Sequence, residues 1–114
     1  MSFFDSEIVR AEMVEISELQ EEVYSSMMKF SYMNDRDKLH HVKLLEKLLN
    51  KQKVLFARLS LSDDPEAKQM KQNIVESAKM MGLPPDVEIT TVFDQMNKML
   101  DIMKQQIDNG KADQ

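Results

Sequence analysis

The chain has 114 residues, of which 31% are charged and 6% aromatic, with two Gly, three Pro, no Cys and no Trp. That length and composition fit one helix-rich domain with a modest core, and the lack of Cys excludes disulfides and thiolate metal sites. A formal charge of −5 with few aromatics argues against direct binding of nucleic acid by phosphate attraction and base stacking.

The first stretch, Met1-Ser2-Phe3-Phe4-Asp5, carries neither a basic run nor a long apolar one, so it does not read as a signal peptide. No apolar run approaches the ~20 residues of a membrane span, and a soluble cytoplasmic protein is the expectation. Val9, Ile16, Val23 and Phe30 then recur every seven residues, with Met13, Leu19 and Met27 between them. This is one apolar stripe of a helix. The spacing predicts helix one over about Ser6–Tyr32, capped by Asp5 or Ser6, with Glu7 at the positive end of the helix dipole.

Met33-Asn34-Asp35 reads as a turn whose Asn34 or Asp35 caps helix two, which extends to about Leu59 along Leu39, Val42, Leu45, Leu48, Leu49, Val54, Leu55, Phe56 and Leu59. Asp64-Pro65-Glu66 is a start signal for helix three, along Ala67, Met70, Ile74, Ala78 and Met81, and Gly82 supplies its stop. Pro84-Pro85 blocks continuation. Helix four starts between Asp86 and Thr91 and runs along Ile89, Val92, Phe93, Met96, Leu100, Met103 and Ile107, until Asn109-Gly110 ends it and residues 109–114 fray. Eleven Met residues fall mostly on these stripes and read as core, in place of Leu, rather than as an adaptable binding surface. The expectation is a single all-α domain, residues 1–114: a long antiparallel helical hairpin with two shorter helices docked on it. A regular four-helix bundle is the alternative.

Charge is segregated along this chain. Residues 1–35 carry eight acids against two bases, and residues 36–59 carry seven bases against two acids. Glu12, Glu15, Glu18 and Glu22 are spaced to line one side of helix one. They can face the bases of helix two across the hairpin, and any part left uncovered can meet a basic partner. Phe3 and Phe4 precede the helix, either as apolar anchors for a partner or as a staple folded back onto the hairpin. Phe93 and Met96 are assigned to the core.

No catalytic chemistry is legible. Asp37 and His40 have the i, i+3 spacing of one carboxylate–histidine pair, whereas a di-metal bundle needs two such pairs and further carboxylates. There is no Gly-rich phosphate loop. A non-enzyme without metal or cofactor is expected.

Phe3-Phe4-Asp5-Ser6-Glu7-Ile8-Val9 at one end, with Gly82-Leu83-Pro84-Pro85 and Phe93-Asp94-Gln95-Met96-Asn97 toward the other, resemble a small family of cyanobacteria and their phages, a domain of unknown function. The resemblance spans nearly the whole chain, with its identities concentrated at the two ends. It implies kinship with RebA, an inhibitor that binds the catalytic region of RNase E and restrains RNA cleavage. It implies no catalytic residue. Helical self-association in a structural or assembly role is the competing expectation.

Overall fold

Short polar side chains set where the helices begin. In the computed structural model, which describes residues 2–113 and the side chains of residues 2–109, Ser2 opens a 3-10 turn (Phe3–Asp5) through a capping box. Its Oγ accepts from Phe4 N–H at 3.3 Å, and Asp5 Oδ2 accepts from Ser2 N–H at 3.1 Å. Ser6 accepts from Val9 N–H to open α1 (Glu7–Met27), and Asn34 from Asp37 N–H to open α2 (Asp35–Leu61). Asp64 accepts from Glu66 N–H to open α3 (Pro65–Met80), with Pro65 in the first turn. α4 (Ile89–Asp113) follows, and no strand occurs among the described residues.

Gly82 stops α3 as expected. Its φ of 114° lies in the region that favours glycine. Gly82 N–H donates to the Lys79 carbonyl at 3.1 Å and Leu83 N–H to the Ala78 carbonyl at 2.9 Å, the paired bonds of a Schellman ending.

Two boundaries differ from expectation. α1 stops at Met27 rather than near Tyr32. The Ser25 and Ser26 hydroxyls both donate to the Glu22 carbonyl, competing with the helical ladder. The chain then tightens into a 3-10 turn (Phe30–Tyr32) that carries Phe30 against a cluster of Val42, Leu49 and Leu100. α4 passes through Asn109-Gly110 to Asp113, so at 25 residues it is one of three long helices rather than one of a shorter pair. A helical Gly costs only about 1 kcal/mol relative to Ala, which the packing of Phe93, Leu100, Met103 and Ile107 earlier in the helix offsets. The expected fraying of 109–114 concerns residues whose side chains lie almost wholly outside the described ones.

The centre of the fold is α2. Its 27 residues span about 40 Å. One flank packs Leu48 and Leu55 against Val9, Ile16, Leu19 and Val23 of α1. Another flank packs Val42 and Leu49 against Leu100 of α4, with Phe93, Met103 and Ile107 beside it. Both neighbours run antiparallel to α2: Glu12 meets Arg58 while Ser26 meets His41, and Asp94 meets Lys53 while Lys104 meets Glu46. α3 lies against α2 and the N-terminal turn, with Ala67 fully buried and Ser2 Oγ donating to Glu66 at 2.9 Å. The all-α class and the antiparallel α1/α2 hairpin are therefore as expected. The molecule is flat, 55 × 33 × 20 Å, so its thin dimension is about two helix diameters.

His41 is a buried polar residue of this core. Its Nδ1 lies 2.9 Å from Ser26 Oγ and its ring 5.3 Å from that of Phe30. Burial, and secondarily the charge of His40, push its pKa down. The contribution of His41 is thus complete above the ordinary histidine range of ~6.5 and is lost as pH falls through the lower folded value. Thermal midpoints are expected to decline on acidification below that range, and the decline to shrink in His41→Phe; an unchanged slope would contradict a buried neutral imidazole. Leu59 is 1% exposed and Leu61 86%. In urea unfolding Leu59→Ala is expected to cost about 2–5 kcal/mol and Leu61→Ala less than about 0.5 kcal/mol.

Candidate functional site

The carboxylates of α1 divide into two groups. Glu12 Oε1 accepts from Arg58 Nε at 3.1 Å, with its side chain only 18% exposed and Oε2 buried without a hydrogen-bond partner. Glu15 Oε2 lies 2.6 Å from Lys51 Nζ. The hydrogen bond from Lys51 and its charge, with Lys47 adding, hold the Glu15 carboxyl below its usual range. These two pairs join α1 to α2 along one edge of the hairpin, as charge segregation led one to expect. Glu18, Glu21 and Glu22 stay exposed, and no ion pair engages them among the described residues. They surround an open depression with Ser25. Of the acids expected to meet a partner, Glu18 and Glu22 are thus free to do so, Glu15 is half-exposed in its pair, and Glu12 is taken up internally.

Phe3 and Phe4 take the staple position, one of the two expected for them. Both are partly buried against the α1/α2 core, with rings edge-to-face at 5.1 Å. Phe3 N–H donates to Asp64, and Arg10 Nε donates to the Phe4 carbonyl at 3.0 Å. The N-terminal turn is therefore a staple tying α1 to the start of α3.

The methionines give a correction. Met27, Met28, Met80, Met81, Met96 and Met99 are all exposed, so Met is not simply a core substitute for Leu here. Met96, at 46% exposure, is not core as expected, whereas Phe93 is partly buried and packs its ring 6.2 Å from Phe56. Val54, on the expected α2 stripe, is also exposed. Met96, Met99 and Met103 instead form the α4 wall of an apolar groove of about 220 Å³ floored by Leu45, Leu48, Leu49 and Gln52 of α2. Periodicity places a stripe on a helix but does not say which stripes find a cover. The legible signal was a different one: this flank of α4 carries no charge in a chain that is 31% charged.

Among the described residues no group of three or more His, Asp or Glu is placed to hold a metal ion, and no helix is long and apolar enough to cross a membrane. Asp37 and His40 sit near the start of α2, both exposed. What the surface offers is charge on one side and apolar area on another. A family model for a domain of unknown function, DUF1825, matches residues 1–107. No curated protein and no solved structure matches the chain.

Three carboxyls are held below their usual range: Glu15 by Lys51, Asp64 by the Phe3 and Glu66 amides, and Asp94 by Lys53. Each stabilises the fold above the ordinary carboxylate range of ~4 and loses that contribution as pH falls through its lower folded value. Denaturant midpoints are expected to drop on acidification below that range. Asp64→Ala, which removes both a helix cap and the tether of the N-terminal turn, is expected to flatten the drop more than Glu15→Gln; equal slopes in wild type and variant would contradict the assignment.

Proposed function

We propose that this chain, which belongs to the DUF1825 family, is a non-catalytic protein-binding regulator whose partner is the catalytic region of RNase E, where it restrains RNA cleavage. The observation that carries the reading is the exposed carboxylate group of α1, Glu18, Glu21 and Glu22, which no ion pair engages among the described residues while neighbouring Glu12 and Glu15 are neutralised by α2. The partner's identity comes from the resemblance of the chain's two ends to the cyanobacterial and cyanophage family of the inhibitor RebA. An RNA-cleaving centre must present cationic surface to its polyanionic substrate. A rigid row of carboxylates competes for that surface, speeds encounter and is weakened by salt.

A second reading, a structural or assembly protein acting through helical self-association, is favoured by a different observation: the exposed apolar flank of α4.

Pull-down with the RNase E catalytic region followed by a cleavage assay tests the first reading. Wild type is expected to slow cleavage at saturating protein. The double variant Glu18→Lys, Glu22→Lys is expected to remain folded, since neither side chain joins the core, and to bind at least about tenfold more weakly, a change of ~1.4 kcal/mol. Undiminished cleavage at saturating wild-type protein would exclude inhibition.

A further inference from the structure

We propose that the groove formed by α2 and α4 seats α4 of a second copy of this chain, forming a two-fold dimer. Three features point there. The first is the amount of surface exposed. The chain presents 8228 Å² to solvent, whereas a compact monomer of 13.3 kDa presents about 6,500 Å². Its radius of gyration is 16.5 Å, against about 13 Å for a compact domain of this length. The excess is roughly 1,700 Å², ample for the ~800 Å² that each partner buries in a stable interface.

The second feature is the absence of charge on the walls. On α4, Val92, Met96, Met99, Met103 and Gln106 recur every three or four residues, beside the Phe93, Leu100 and Ile107 seam that packs on α2, with Met103 shared between the two. On α1, the flank opposite Glu12 and Glu15 carries Met13, Ser17, Gln20, Tyr24 and Met27 at the same spacing. Neither seam holds a charged residue, and the α2 floor of the groove contributes only Leu and Gln. Two copies that each carry −5 meet here without like charges in contact.

The third feature is self-complementarity. Antiparallel pairing of α4 with its copy about an axis near Met99 sets Met99 against itself, Met96 near Ile102 and Val92 near Gln106. These are uncharged pairs throughout, as an isologous interface requires. α4 of the copy then runs antiparallel to both α1 and α4 of the first chain. Since α4 is antiparallel to α2, α4 of the copy runs parallel to the α2 floor, and the antiparallel contact of the interface is the one between the two α4 helices. The flexible thioethers of Met96, Met99 and Met103 suit such a seam.

The proposal does not rest on the RNase E reading, which is tested at Glu18 and Glu22 and leaves α4 untouched. Light scattering on the full chain across a dilution series is expected to give twice 13.3 kDa, and Met99→Asp to give the monomer mass with an unchanged helical circular dichroism spectrum. Met99 is 62% exposed in the single chain, and Met80, on α3, is 89% exposed. In this Cys-free chain, Met99→Cys is expected to form an intermolecular disulfide on mild oxidation, and Met80→Cys to stay reduced. The cross-link decides the matter if Met99→Asp fails to fold. A wild-type monomer at every concentration, a dimer that survives Met99→Asp, or equal cross-linking of the two Cys variants would overturn the proposal. Capture of the RNase E catalytic region that Met99→Asp abolishes would assign the groove to that partner and overturn it too.

Discussion

One helix has to bury two flanks at once. α2 packs Leu48 and Leu55 against α1 and Val42 and Leu49 against α4, and the remaining helices take their positions from it. Apolar burial stabilises by roughly 25 cal/mol per Å², so a helix that covers two neighbours is the most costly element to displace. The ion pairs follow the same plan. Glu12–Arg58 and Glu15–Lys51 fix the α1 side, and Asp94–Lys53 and Lys104–Glu46 fix the α4 side. Each is partly exposed, so register and direction are what they contribute more than stability.

This arrangement sorts the surface. The carboxylates of α1 are neutralised where they border α2 and, among the described residues, left without ion pairs at Glu18, Glu21 and Glu22. The flanks of α1 and α4 away from those ion pairs carry Met, Gln, Ser and Tyr without charge. The flat fold thus carries one charged edge and one neutral groove. A dimer closed through the groove presents two acidic edges, one from each copy.

Local chemistry was readable in the sequence wherever a single side chain decides the backbone. Ser6, Asn34 and Asp64 cap helices, Pro65 opens one and Gly82 closes one, because each satisfies or frees amides within its own turn. Stripes were readable as stripes. Their covers were not, because seven-residue spacing is identical for a buried seam and an open one: Val23 is buried and Met99 is exposed at equally regular positions. The end of α1 and the length of α4 escaped for a related reason. Phe30 leaves the helix to pack on the α4 side of the core, and Gly110 continues a helix that propensity alone would stop. Phe3 and Phe4 read equally well as anchors or staple, and only the tether from Phe3 to Asp64, across the fold, decides it.

Native-state hydrogen exchange resolved residue by residue tests the central role of α2 most directly. Amides between Val42 and Leu59 are expected to exchange only through global unfolding, while those of α3 open at lower free energy because Ala67 is its only buried residue. Protection that persists in α1 or α4 after α2 has exchanged would show that the outer helices hold together without it, and would contradict this account.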